Sequence, residues 1–125
     1  MAPKYLYKIL DESPPSPLPE TLPSTDLDRN DGFIHLSTAE QTPITANLFF
    51  GNHTKLWILK VEREALDGRI EYITDPKAGV ENGCPHVHDS KTGLGRSNIV
   101  EILEAERPED SAWTSVENLR TLSAF

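Results

Sequence analysis

The segment that decides the fold reads Asp31-Gly32-Phe33-Ile34-His35-Leu36-Ser37-Thr38-Ala39-Glu40-Gln41. Its Asp-Gly pair is a turn signal, and the four residues after it predict a short strand with alternate residues facing the core. Ser37 and Glu40 have the spacing of a capping box, which predicts a helix from about Thr38 to Phe50. A polar corner between this strand and this helix favours a binding pocket.

Further strands are predicted on both sides of this segment, because short runs of aromatic and β-branched residues lie between turn signals. They span Tyr5–Leu10, Lys55–Val61, Arg69–Ile73, Cys84–Asp89 and Ser97–Glu104. The only substantial helix lies between the second and third strands. This order predicts an α+β fold rather than an alternating β-α-β array. At 125 residues, the chain is expected to form a single domain, residues 1–125.

Smaller elements complete the prediction. Ile44, Leu48 and Phe49 lie at helical spacing and predict the apolar face of the helix, which Gly51 would end. Residues 75–83 are typical of a turn-rich loop. A short docking helix is predicted near the C-terminus from the spacing of Trp113, Val116, Leu119 and Leu122.

Residues 11–30 form a proline-rich, acidic segment. The prolines are Pro14, Pro15, Pro17, Pro19 and Pro23, and five acids accompany a single Arg29. Because proline lacks a backbone donor and breaks both helices and ladders, the segment is predicted to be a long irregular loop within the domain. Loops of this length are typical of functional lids or insertions.

The composition excludes several classes of protein. Twenty acids against 12 Lys and Arg give a formal charge of −8, which argues against binding to nucleic acid or to an anionic membrane. The longest aliphatic and aromatic run, Leu56-Trp57-Ile58-Leu59, is far too short to span a bilayer. The N-terminus lacks the apolar region of a secretory signal, and the single Cys84 fits a reducing compartment, so we expect a cytoplasmic protein.

Histidines are the best candidates for chemistry, because imidazole titrates near neutral pH. Strand alternation places His35 on one face with Phe33 and Ser37, and it places His86 and His88 on a common side. His35 and His86 are the candidate catalytic residues. The residues alone leave an alternative open, in which His35 is a partly buried, hydrogen-bonded histidine and Ser37 only caps the helix.

A metal site is a second interpretation. Cys84, His86, His88 and Asp89 resemble one cluster of ligands, to which His35 would add another. Zinc patterns usually contain two paired clusters, and only one exists here. We therefore assign no metal ligand from the sequence.

The segment 31–41 resembles the signature of a small uncharacterised family, domain of unknown function nine hundred and fifty-two. The resemblance continues through Leu56–Val61 and a weaker Pro-His motif, Cys84–Asp89, and covers roughly Lys4 to Leu103. The chain departs from the family in two places. Its proline-rich loop replaces a helix after the first strand, and His88-Asp89 replaces a Tyr-Gly pair.

This family is remotely similar to ADP-ribosyltransferase-like folds. The resemblance implies a compact α+β domain with a split, mainly antiparallel sheet and a cleft between its halves. It also implies that His35 and Ser37, with Thr38 adjacent, would hold NAD as a cofactor. His88, which stands where the family has a tyrosine, is a further candidate for binding the cofactor. A glutamate usually completes such a site, and either Glu71 or Glu101 would have to serve here.

Three functions follow as hypotheses. The first is binding of a nucleotide-like small molecule in a histidine-lined cleft, with ADP-ribosyl or phosphoribosyl transfer as the leading chemistry if the protein is an enzyme. The second is a zinc-dependent hydrolase that uses the histidines. The third is a non-enzymatic interaction module in which the proline-rich segment binds a partner.

Overall fold

The computed structural model describes residues 3–73 and 83–125. Within these residues the chain forms a small α+β fold, which confirms the predicted class. The strands are β1 (Tyr5–Leu10), β2 (Ile34–His35), β3 (Lys55–Glu62), β4 (Arg69–Ile73), β5 (Cys84–His88) and β6 (Ile99–Glu106). The helices are α1 (Asp26–Asp31), α2 (Gln41–Phe49) and α3 (Glu117–Arg120), and 3-10 turns span Arg63–Ala65 and Trp113–Ser115. The loop predicted over 75–83 lies almost entirely outside the described residues.

The first sheet has the order β1-β3-β6, and both of its ladders are antiparallel. Its central strand, β3, is apolar on both faces, because Leu56 and Ile58 face one core while Leu59 and Val61 face another. Burial on both sides explains why the sequence of β3 contains so few polar positions.

The second sheet has the order β2-β5-β4 and is also antiparallel. It meets the first sheet at Tyr7 and Ser37, where each backbone N–H donates to the other residue's carbonyl over 2.8 Å. This junction places the end of β2 directly against β1. The predicted split into two antiparallel halves is therefore present.

Two hydrophobic cores hold the sheets in place. One lies between the first sheet, α2 and the C-terminal segment, and the other lies between the two sheets. The first contains Tyr7, Ile9, Ala39, Ala46, Leu56, Ile58, Ala105, Trp113 and Leu119, and the second contains Leu6, Leu36, Leu59, Val61, Val87, Leu94 and Ile99.

The proline-rich segment is not irregular throughout, so its prediction as a loop over residues 11–30 is wrong at one end. Thr25 accepts a hydrogen bond from the backbone of Asp28 and caps α1, and Gly32 ends the helix with a φ of 78°. The helix has six residues and no apolar periodicity. Its ends carry capping signals, Thr25 and Gly32, but without an apolar period between them the surrounding prolines outweighed these signals.

The main helix spans Gln41–Phe49, and the turn that leads into it begins at Thr38, whose carbonyl accepts the N–H of Thr42 over 3.1 Å. The capping box is formed by Thr38 and Gln41, not by Ser37 and Glu40. The N–H of Thr38 donates to Gln41 Oε1 over 3.0 Å, and the N–H of Gln41 donates to Thr38 Oγ1 over 3.3 Å. Ser37 takes no part, because its backbone is paired with β1.

The predicted apolar face of this helix is also wrong. The side chains of Ile44, Leu48 and Phe49 are exposed, Phe49 by 59%. The helix buries its opposite side, which consists of Gln41, Thr42, Pro43 and Ala46. These small and polar residues allow close approach to the first sheet, so packing overrides the apolar spacing.

The C-terminal segment docks as predicted, although as a 3-10 turn followed by the single helical turn α3. Trp113 is fully buried and donates from Nε1 to the carbonyl of Phe50 over 2.9 Å. Leu119 is buried in the same core. Among the described residues, the helices are all too short or too polar to cross a bilayer.

Candidate functional site

Three imidazoles meet where β2 and β5 pair. His35 stands directly opposite His86 in the ladder, and the two ring centroids lie 4.8 Å apart in an edge-to-face arrangement. The ring of Phe33 contacts all three, with centroid distances of 4.8 Å to His35, 4.7 Å to His86 and 4.8 Å to His88. The geometry agrees with the expectation that these distant segments bring their rings together.

Asp28 on α1 holds His35 in position. Its Oδ1 lies 2.7 Å from Nδ1 of His35 and accepts the backbone N–H of the same residue over 3.1 Å. Its Oδ2 accepts a hydrogen bond from Lys8 Nζ over 2.7 Å, and Lys8 also donates to the carbonyl of His35. Asp28 and Lys8 are both buried. A buried ion pair, Lys8–Asp28, thus holds the partly buried His35 through hydrogen bonds.

The carboxylate of Asp28 is ionised in this network. Burial alone would raise its pKa, but hydrogen bonds from His35 and the attraction of Lys8 outweigh burial and lower the pKa. For Lys8 the balance differs, since burial lowers its pKa and Asp28 opposes the change. The pair is ionised, because the 2.7 Å contact and the two donors on Asp28 both favour the charged form.

The second nitrogen of the His35 ring faces a different carboxylate. Nε2 lies 3.0 Å from Oδ2 of Asp31, which ends α1 and whose side chain is 42% exposed. Asp31 is far more exposed than Asp28, so its contact with His35 is the one that a ligand would reach first.

His86 is the most deeply buried of the three histidines, with 9% of its surface exposed. Burial, together with repulsion from His35 and His88, lowers its pKa to about 4, although Asp28 and Asp31 favour the charged form. His86 is therefore neutral at pH 7. Its buried Nδ1 has no hydrogen-bond partner among the described residues. Buried polar atoms are normally paired, so this nitrogen is an unused hydrogen-bonding position.

His88 lies beside Glu71 of β4. Its Nε2 is 3.4 Å from Oε2 of Glu71, without the alignment of a hydrogen bond. Glu71 also stands opposite His86 in the ladder and accepts a hydrogen bond from Arg69 over 3.0 Å. Glu101, the other acid considered from the sequence, lies on β6 of the first sheet. Of the two, Glu71 is the one beside the imidazoles.

A cleft of about 1040 Å³ opens between the proline-rich segment and the strands β1 and β2, which belong to different sheets. Residues 11–15 and 21–29 form its outer wall, and its inner surface includes Phe33, His35 and His86. Ser37 and Cys84 also contribute to this surface. Of the residues predicted to bind a cofactor, His35 and Ser37 line the cleft, and Thr38 and His88 lie outside its lining.

The groups of Thr38 are already used for capping, since its N–H and its hydroxyl both bond to Gln41. Ser37 is buried, and its hydroxyl donates to the hydroxyl of Thr45 over 3.2 Å. Thr45 also lines the cleft. Ser37 is thus a structural residue at the cleft wall, and its role with a ligand stays a prediction.

The zinc interpretation gains no support from this arrangement. Within residues 3–73 and 83–125, no group of three His, Cys, Asp or Glu side chains is placed to hold a metal ion. The imidazoles of His35, His86 and His88 pack against Phe33. The proposed ligand set of histidines with Cys84 or Asp89 therefore does not assemble.

Sequence reasoning missed Lys8, Asp28 and Asp31. One signal for this network was present, because alternation along β1 places Lys8 on the same face as the core residues Leu6 and Leu10. A lysine on a core face requires a buried anionic partner. The sequence alone does not show that this partner comes from a helix inside the proline-rich segment.

Comparisons with known proteins identify the relatives of the chain. The crystal structure of protein CC0527 from Caulobacter crescentus is similar, with a TM-score of 0.64 and 24% identity over 86% of this chain and 91% of that one. A double mutant of the same protein is similar with a TM-score of 0.64 and 23% identity over the same shares. No curated protein matches the chain.

These structures support a small α+β fold with two antiparallel sheets. They give no support to an ADP-ribosyltransferase-like assignment. A family model described as protein of unknown function (DUF952) matches residues 18–102, from the proline-rich segment to β6. Since this model covers more than half of the chain, the protein belongs to the DUF952 family of proteins of unknown function.

Proposed function

We propose that this protein binds a nucleotide-like small molecule in the cleft between the proline-rich segment and the histidine-bearing strands. The observation that carries the proposal is His86, a buried neutral imidazole at the cleft surface whose Nδ1 lacks a partner among the described residues. Because this nitrogen is buried, a ligand would supply the missing hydrogen bond once neighbouring side chains move to expose it. The cleft volume of about 1040 Å³ lies just above the range typical of small-molecule sites, so such a ligand has room to enter.

The surroundings of His35 support the same proposal. Asp28 holds its Nδ1 and its backbone N–H, so the ring has a defined orientation before any ligand arrives. Its Nε2 contacts only the partly exposed Asp31. A ligand group that reaches this edge would meet both Nε2 of His35 and the carboxylate of Asp31.

Binding is better supported than group transfer. ADP-ribosyl or phosphoribosyl transfer requires the cleft to hold a diphosphate or a phosphorylated ribose. The cations described in the cleft wall, Lys8 and Arg29, are already paired with Asp28 and Asp26. Glu71 is available beside His88 as a carboxylate, but it lies outside the lining of the cleft. NAD remains a ligand to be tested.

The test is a ligand titration followed by NMR of protein labelled with ¹⁵N in its histidine rings. Adenosine, AMP, nicotinamide riboside and NAD are added to millimolar concentration at pH 7. We expect at least one to shift the ring resonances of both His86 and His35. A protein in which neither ring responds to any of the four does not bind nucleotide-like molecules here.

Two variants make the result specific. His86→Gln keeps a polar side chain but removes the ring nitrogen, and it is expected to weaken binding about tenfold or more, the effect of losing one buried hydrogen bond. His53→Gln is the matched control, because it makes the same substitution at a histidine that does not itself line the cleft and contacts only its outer wall, at Asp11. Equal losses in the two variants would contradict a site at His86.

A further inference from the structure

The charge of the cleft wall restricts what can bind there. The described residues that line it include five carboxylates, those of Asp11, Glu12, Asp26, Asp28 and Asp31, against only two cations, Lys8 and Arg29. Each of these cations already contacts one of the carboxylates. The described wall therefore presents a surplus of negative charge and no unpaired Lys or Arg.

Two side chains beside Phe33 offer hydrogen-bonding positions to a ligand, Asp31 and His86. Asp31 offers carboxylate oxygens, which only accept, at the partly exposed edge beside His35. His86 is nine-tenths buried, and its Nδ1 is without a partner among the described residues. A neutral imidazole accepts at one nitrogen and donates at the other. Such a surface fits a group that carries N–H donors beside an acceptor.

An aromatic face completes the surface. Phe33 lines the cleft, is half-buried, and packs against the rings of His35 and His86 at 4.8 and 4.7 Å. Aromatic side chains favour stacked or edge-on contact with a second planar ring, and they attract planar cations. Phe33 and Asp31 are separated by a single glycine, so the ring and the carboxylate reach the cleft from adjacent positions.

We propose that the ligand of this cleft is an unphosphorylated, nitrogen-rich planar ring, neutral or cationic, such as a nucleobase or a nucleoside. Its N–H donors bond to Asp31 and its edge pairs with His86, while its ring packs against Phe33. This inference rests on the proposed function and narrows its ligand class. A phosphate is disfavoured, because it would bring negative charge to a wall that already has a surplus.

Two matched ligand pairs test the inference on the wild-type protein. Nicotinamide riboside is compared with nicotinamide mononucleotide, and adenosine is compared with AMP. Within each pair the molecules differ by one phosphate. Dissociation constants are measured by calorimetry at pH 7 and low ionic strength, where the effect of charge is largest. We expect the unphosphorylated member of each pair to bind about tenfold tighter or more.

One variant tests whether Asp31 is the carboxylate that discriminates against phosphorylated ligands. Asp31→Asn keeps the shape and one acceptor oxygen but removes the charge, so the preference for nicotinamide riboside over its mononucleotide should fall at least about threefold. Asp110→Asn makes the same change of charge at an exposed position outside the cleft lining and should leave the preference unchanged.

The outcomes are distinguishable. If AMP and nicotinamide mononucleotide bind more tightly than the nucleosides, the cleft is a phosphate site, and this inference is wrong while the proposed function stands. If none of the four ligands binds, both fail together. An unchanged preference in Asp31→Asn would remove Asp31 from the recognition surface.

Discussion

Asp28 Oδ1 lies 2.7 Å from His35 Nδ1 and also accepts the backbone N–H of the same histidine. One carboxylate oxygen thus sets both the path of β2 and the direction of its imidazole. The other oxygen of Asp28 binds Lys8 of β1, so the network joins α1 to both sheets. The residues that orient the candidate site are the same ones that attach the proline-rich segment to the fold.

Replacing Asp28 by asparagine should therefore be strongly destabilising. The variant leaves Lys8 buried without a charged partner, and breaking a buried ion pair from one side costs about 3 to 5 kcal/mol. Chemical denaturation at pH 7 measures the loss. Asp26→Asn in the same helix breaks only an exposed pair with Arg29 and should cost less than about 1 kcal/mol.

A double variant measures the interaction between Lys8 and Asp28 separately from the effect of each residue alone. Lys8→Met removes the buried cation, so adding Asp28→Asn to it should cost much less than Asp28→Asn alone. The contribution of Asp28 to the free energy of unfolding is also confined to a defined pH range. Because its folded-state pKa is lowered, the contribution is present above the ordinary carboxyl pKa and is lost as the pH falls through the folded value. Strictly additive losses would show that Lys8 and Asp28 do not act as a pair.

His86 should make the protein less stable as the pH falls below neutrality. The unfolded chain protonates this ring near 6.5, whereas the folded protein does so only at about 4. Between these values the unfolded state binds more protons, so the free energy of unfolding declines by on the order of 2 to 3 kcal/mol. Denaturation curves collected across this range measure the decline.

The variant His86→Gln tests whether His86 causes the pH dependence of the free energy of unfolding, because glutamine does not titrate. His35 and His88 face His86, as do Asp28, Asp31 and Glu71, and all five remain in the variant. We expect the slope between pH 6.5 and 4 to become distinctly shallower, whatever the overall stability of the variant. A slope as steep as that of the wild type would assign it to another of these groups.

Helix α2 offers a direct comparison of two capping boxes. Thr38→Ala removes the hydroxyl that accepts the N–H of Gln41 and should cost about 1 kcal/mol in the free energy of unfolding. Glu40→Ala changes the residue that the sequence pattern selected, which is exposed and makes no capping hydrogen bond, and should cost less than about 0.5 kcal/mol. If Glu40→Ala instead lost more stability than Thr38→Ala, the result would indicate that Ser37 and Glu40 form the capping box.

The errors at this helix show what pattern reasoning lacks. Ser37-x-x-Glu40 and Thr38-x-x-Gln41 both satisfy the capping pattern, one residue apart. Pairing of Ser37 with Tyr7 across the sheet junction decides between them, and that contact is not local in sequence. The exposure of Phe49 has the same origin, because the first sheet requires small side chains on the helix face that it covers.

The strands and the convergence of the imidazoles were predictable for the opposite reason. Alternation along β2 and β5 is a local property that places His86 and His88 on one side and His35 on a face with Phe33. Hydrogen bonding of the two strands then brings His35 and His86 together. The carboxylates around them were not predictable, since α1 follows no apolar period and its position depends on the buried charge of Lys8.

The proline-rich segment is attached to the body of the protein at a second place. Leu22 donates its backbone N–H to the carbonyl of Leu94 over 2.7 Å, and Arg96 donates its own to the carbonyl of Pro19 over 3.0 Å. Thr21 adds a hydroxyl bond to the carbonyl of Thr92 over 2.7 Å. These contacts place the wall of the cleft against the loop that precedes β6.

Gly95→Ala should release this wall without unfolding the sheets. A Cβ at Gly95 would lie 1.9 Å from the carbonyl oxygen of Glu20, which is far inside van der Waals contact, so the two backbones must separate. We expect hydrogen exchange of the Leu22 and Arg96 amides to accelerate by at least about tenfold, while amides of β3 keep their protection. Unchanged exchange at Leu22 would mean that the segment tolerates the displacement. Uniform acceleration across β3 would mean that this contact supports the whole fold and not the cleft wall alone.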